Sequence, residues 1–137
     1  MSLRAPLVCA VAVGALALTG CGRGTDETAT RTVTQRFLDA LSHHDGALAC
    51  AQLSSATQSE VESQEHRRCP IAILNLNLNT ARILRVAVYL TSAKVDLADG
   101  ESVFLDQSSQ GWELSAVGCK PQGGKPTNEP YDCDLKA

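Results

Sequence analysis

RILRVAVYLTSAKVDLADGESVFLDQSSQGWELSAV, residues 82–117, is the stretch whose reading decides the fold. Leu84, Val86, Val88 and Leu90 alternate with Arg85, Ala87 and Tyr89, and Val95 and Leu97 alternate with Lys94, Asp96 and Ala98. A period of two sends successive side chains to opposite faces of a strand, so each segment is expected to carry one apolar and one polar face. Asp99-Gly100 is a hairpin signal between them. Ser102 to Asp106 reads as a third strand, Gln107 to Gly111 as a polar turn, and Trp112 to Val117 as a fourth strand. Strands joined by turns this short predict an antiparallel meander. Trp112 shares its phase with Leu114 and Ala116 and is expected in the core.

Upstream of Arg82 the period is helical. Val33, Phe37, Leu38 and Leu41 recur at helical spacing, while Arg31, Gln35, Arg36 and Asp39 face away, which predicts an amphipathic helix over Thr30 to Ser42. His43-His44-Asp45-Gly46 is expected to end it, with glycine just past the last periodic residue. A second helix, Ala47 to Leu53, is expected to turn Leu48, Ala51 and Cys50 inward, and Ser54 to cap a third over Ser55 to Gln64, where Val61 is the one strong apolar contact. Ile71 to Leu78 suits a helix in its first half and a strand in its second; a short helix beginning near Pro70 is favoured, since proline is tolerated in a first turn. Helices followed by a meander define an α+β domain with the helices on one face of the sheet. No repeat or second domain is visible in the 137 residues.

The start of the chain reads as an address. Met1-Ser2-Leu3-Arg4 is a short basic region, Ala5 to Ala17 an apolar one, and Leu18-Thr19-Gly20-Cys21 follows directly, which is the secretory order. A membrane-spanning helix needs about 20 strongly apolar residues; this run is shorter, rich in alanine and interrupted by Pro6 and Gly14. Leu18-Thr19-Gly20-Cys21 resembles the lipobox of bacterial lipoproteins. The resemblance implies cleavage after Gly20, a diacylglyceryl group on the Cys21 thiol, often a further acyl chain on the new amino group, and a location on the extracytoplasmic side of the cell membrane. Two or more chains anchor stably where one is marginal. Residues 21–29 lack apolar periodicity and are expected to be a flexible tether, leaving 30–137 as the folded domain. The net charge of −3, with Lys and Arg scattered, leaves no electrostatic footprint for nucleic acid.

Six cysteines divide by compartment. Cys9 leaves with the leader and Cys21 is acylated, so Cys50, Cys69, Cys119 and Cys133 remain in an oxidising envelope. Four cysteines allow three pairings. Cys50 and Cys69 lie in the helical half, and Cys119 and Cys133 flank one stretch rich in Pro and Gly, so Cys50–Cys69 and Cys119–Cys133 are the expected bridges, the second closing a C-terminal loop. A metal site built from Cys50, Cys69, His43, His44 and His66 lacks the Cys-x-x-Cys or His-x3–5-His spacing, and neither a metal nor a cofactor is expected.

Phe37-Leu38-Asp39-Ala40-Leu41, the Asp45-Gly46 break, the Ala/Leu-rich second helix and the late Gly111-Trp112 strand occur in an order that resembles the NTF2-like (SnoaL-like, cone-shaped) superfamily over roughly residues 30–119. The lipobox together with Gly118-Cys119 and Pro130-Tyr131-Asp132-Cys133 is similar to small actinobacterial lipoproteins. The NTF2-like resemblance implies helices packed on a curved meander around a cone. In its enzymes a buried carboxylate, His or Tyr in the cone abstracts protons. Arg85, Tyr89, Asp106 and Glu113 are the residues here that would line such a concavity if their faces point inward; a solvated sheet face is the plainer reading of the same alternation. His43-His44 suits solvated cations at a helix end, Glu62 and His66 form an i,i+4 pair, and no nucleophile elbow occurs. With no catalytic residues assigned, the expected function is that of a membrane-anchored binding module for a small apolar molecule or another envelope protein. The alternative is an isomerase or dehydratase of the NTF2-like kind.

Overall fold

A computed structural model describes residues 22–123 and 130–137. The expected leader, residues 1–20, the expected lipid site Cys21 and residues 124–129 of the expected C-terminal loop lie outside the described residues.

The helices come first: α1 (Arg23–Ser42), α2 (Gly46–Cys50), α3 (Ser55–Glu65) and α4 (Cys69–Asn75). Helix α1 begins seven residues before the predicted start, so residues 23–29, expected as tether, are its first two turns. The periodicity misses them because residues 24–29 are exposed apart from the half-buried Asp26 and Ala29. Thr30 and Thr34 are fully buried below Phe37 and Leu41 on the same face. Each threonine hydroxyl satisfies itself on the preceding turn: Thr30 Oγ1 donates to the Asp26 carbonyl at 2.8 Å and Thr34 Oγ1 to the Thr30 carbonyl at 2.9 Å. A buried polar group with its hydrogen bond made carries little penalty.

The turn after α1 also departs from expectation. The left-handed residue is His44, with φ 55°, and Gly46 is the first residue of α2. Gly46 is needed for a different reason, since a Cβ there would collide with the Pro70 carbonyl where α2 crosses α4. The Asp45 carboxylate caps α2 by accepting from the Leu48 N–H at 2.9 Å. Within α2 the inward residues are Gly46, Ala49 and Cys50, whereas Leu48 and, just past the helix, Ala51 are exposed. Ser54 caps α3 as expected, accepting from the Thr57 N–H at 3.2 Å, and Val61 is fully buried. Glu62 caps the next helix, its carboxylate accepting from the Cys69 N–H at 2.8 Å. Disulfides join Cys50 to Cys69, tying the end of α2 to the start of α4, and Cys119 to Cys133.

The sheet is an open antiparallel meander in the order β1 (Ile83–Tyr89), β2 (Ser92–Leu97), β3 (Ser102–Ser108), β4 (Gly111–Pro121), β5 (Tyr131–Lys136). Four strands lie where alternation puts them, with Val86 opposite Val95, Val95 opposite Val103 and Leu105 opposite Leu114. The fifth is a correction to the four-stranded prediction. It pairs with β4 through Val117↔Leu135 and Cys119↔Cys133, and only Leu135 of its residues is buried, too weak a pattern to read as a strand. Strand β1 also deviates: Leu84 and Leu90 are exposed, because the register slips between Ile83 and Arg85 and the strand ends at Tyr89.

The register slips again between Phe104 and Leu105 opposite β4. Such bulges release backbone groups from the ladder. Here the Leu114 N–H donates to the Gln52 carbonyl and the Ser54 N–H to the Leu114 carbonyl, both at 2.9 Å, which stitches the α2–α3 connection to the sheet. Phe37, Leu53, Val61, Ile73, Leu105, Leu114 and Leu135, all at most 1 % exposed, fill the space between helices and sheet. Trp112 joins them, and its indole Nε1 donates to the Asp26 carboxylate at 3.2 Å, fixing the first turns of α1 on β4.

Candidate functional site on the open face of the sheet

The alternation that buries Val103 and Leu105 against the helices points Phe104 and Asp106 to the other face. Phe104 meets Tyr131 from β5 there, with ring centroids 5.0 Å apart and planes at 73°, an edge-to-face pair. Together with Asp106, Ser115, Cys133 and Lys136 they line an open cleft of about 350 Å³. The cleft exists because β5 adds itself to β4 and carries Tyr131 across from β3. Its floor is aromatic and its margin polar, the usual make-up of a small-molecule site.

Beside the cleft, Lys94 Nζ sits 5.1 Å from the Tyr131 ring centroid and 2.9 Å from the Asp96 carboxylate. Asp96 also accepts from Ser102 Oγ at 2.9 Å and Arg85 Nε at 3.1 Å. The Tyr131 side chain, then Asp96, hold the Lys94 ammonium above its ordinary range. Lys94 foremost, with help from Ser102 and Arg85, holds the Asp96 carboxyl below its usual range. This network holds Tyr131 from β2, where Lys94 is the cross-strand partner of Phe104.

The four residues expected to line a concavity do not converge. Arg85 is drawn to Asp96, Tyr89 is 60 % exposed at the far end of β1, and Glu113 is the cross-strand partner of Asp106, which alone borders the cleft. His43 Nδ1 lies 2.7 Å from the Asp39 carbonyl at the exposed end of α1. His66 is the left-handed residue closing α3, so it and Glu62 serve helix ends. Glu101 is the buried acid that sequence reasoning passed over; it accepts from Asn79 Nδ2 at 2.9 Å and lies 3.5 Å from Lys120 Nζ, joining the segment before β1 to the β2–β3 turn and β4. Phe104 and Tyr131 were likewise passed over. The one signal for Phe104 is an aromatic in the polar phase of Val103-Phe104-Leu105, and none marks Tyr131 as its partner.

Among the described residues no group of His, Cys, Asp and Glu is arranged to hold a metal ion, and no helix is long and apolar enough to cross a membrane. Fold and cleft define a class: an α+β domain with helices on one face of an open five-stranded meander and an aromatic cleft on the other. No family model, curated protein or solved structure matches the chain.

Proposed function

We propose that the chain is a lipoprotein of the cell envelope, exported by residues 1–20 and held at the membrane by lipid on Cys21, whose NTF2-like domain binds a small, partly apolar molecule. The order of a basic region, an apolar run and Leu18-Thr19-Gly20-Cys21 supports the address. Helices packed on one face of an antiparallel sheet support the family reading at the level of architecture.

One observation carries the binding role. Large side chains fill the space between helices and sheet, while the outer face keeps the cleft at Phe104 and Tyr131 open to solvent. The ligand therefore sits on the outer face, and the cleft of about 350 Å³ takes one of two or three rings. A buried acid or base beside the cleft would favour the isomerase or dehydratase alternative; Asp106, on its margin, is exposed.

The test is a fluorescence titration of the purified protein with anilinonaphthalene sulfonate, a compact aromatic anion. Saturable binding that weakens about tenfold in Phe104→Ala, with the melting temperature within a few degrees of wild type, supports the site. Equal binding by wild type and Phe104→Ala would contradict it.

A further inference from the structure

The β1–β2 turn is built against local preference. Leu90 and Thr91 form the connection between Tyr89 and Ser92. Leu90 has φ 54°, a left-handed conformation that glycine or asparagine takes readily and a bulky side chain does not. Its side chain is 92 % exposed and that of the adjoining Tyr89 60 %. A leucine that gains no packing, in a backbone state that disfavours it, points to a contact made outside the domain.

The position of the tip says what that contact is. Val88, Tyr89 and Leu90 line a hollow of about 560 Å³ together with Gly22 and Asp26. The hairpin tip therefore stands beside the first turn of α1, one residue in sequence from Cys21. Because α1 begins at Arg23, Gly22 alone stands between the helix and Cys21 in sequence. Whatever holds Cys21 at a membrane holds this corner of the domain against it. The chemistry of the tip suits a bilayer surface: leucine favours the acyl boundary, tyrosine favours the headgroup level, and Thr91 and Ser92 bring no charge with them. Asp26, the acid in the hollow, is turned to the Trp112 indole. Glu27, next to it on α1, is exposed and does not line the hollow.

We infer that the Tyr89-Leu90 tip inserts into the phospholipid surface beside the lipid anchor as a second contact that sets the domain's orientation, an inference that rests on the anchoring of Cys21 proposed above. With both contacts made, the end of the meander bearing Leu90 faces the membrane, and the Asp99-Gly100 turn at the opposite end of the strands faces away.

The experiment uses the full processed protein reconstituted into phosphatidylcholine–phosphatidylglycerol vesicles, carrying an environment-sensitive fluorophore on Leu90→Cys or, as control, on Ala98→Cys near the opposite turn. Both positions are exposed, so neither label disturbs the core. The inference expects the label at 90 to be quenched by a nitroxide on the lipid acyl chain at least fivefold more strongly than the label at 98. Protein that floats with the vesicles but shows equal, weak quenching at both sites overturns the insertion and leaves the anchor standing. Protein that fails to float with the vesicles overturns the anchor, and the inference with it.

Discussion

Replacing Gly46 with alanine tests how α2 meets α4, the contact that aligns the Cys50–Cys69 bridge. A Cβ built on Gly46 falls inside contact distance of the Pro70 carbonyl oxygen, carbon and Cα. All three are backbone atoms, so the obstruction does not clear by rotating a side chain, and α2 and α4 have to move apart. Their disulfide, with Cα atoms 6.0 Å apart, resists that movement. Overpacking of this kind costs about 1–3 kcal/mol. The better helix propensity of alanine returns under about 1 kcal/mol, and less at a first helical position. The net expectation is a loss of about 2 kcal/mol, or roughly 8 °C in melting temperature for a domain of this size. Gly24, in α1, supplies the contrast: a Cβ there meets nothing within 4 Å, so Gly24→Ala should gain up to about 1 kcal/mol. Urea denaturation of both variants, followed by far-ultraviolet circular dichroism, reads the two shifts. A Gly46→Ala protein as stable as wild type, or shifted in the same direction as Gly24→Ala, would refute the argument that α2 and α4 touch through backbone.

Further outcomes follow from the same structure. Removing the Cys119–Cys133 bridge in a double serine variant opens a loop with a sequence separation of 14 and should cost about 3 kcal/mol in the chain-entropy model; an unchanged denaturation midpoint contradicts this. Trp112→Phe keeps the apolar packing but leaves Asp26 without its indole donor, so a loss of about 1 kcal/mol is expected from the hydrogen bond and the smaller ring. The Asp96 carboxyl, held below its ordinary value of 3.8, stabilises the fold above that pH, and the contribution is lost as pH falls through the lower folded-state value. Asp96→Asn should therefore be less stable than wild type by up to about 1 kcal/mol at pH 7, with the gap closing below pH 3.8; a gap independent of pH means that the ion pair with Lys94 is not its source.

Strands β1 to β4 were legible because Val86, Val95 and Leu114 alternate with polar or small neighbours and Asp99-Gly100 marks a turn, and tertiary packing upholds that pattern. The capping role of Ser54 is also local chemistry, whereas Asp45, read as part of the stop of the first helix, caps the second. The start of α1 was not legible, since residues 24–29 bury no side chain fully and the contact that docks them, Asp26 with the Trp112 indole, joins positions 86 apart in the chain. Gly46 looked like a helix stop because its true constraint, the Pro70 carbonyl, lies 24 positions away in the chain. The cleft was hidden for the same reason. Phe104 and Tyr131 meet only through the pairing of β3 with β4 and β4 with β5, and β5 shows a single buried residue, Leu135.

Anchoring at Cys21 underlies both the proposed function and the orientation of the domain, and metabolic labelling tests it most directly. Cells expressing the full chain are fed an alkyne fatty acid, and the immunoprecipitated protein is coupled to a fluorophore. The account predicts a labelled wild-type band, no label on Cys21→Ala, and a wild-type mass that lacks residues 1–20. An unlabelled wild type, or equal label on Cys21→Ala, would contradict it.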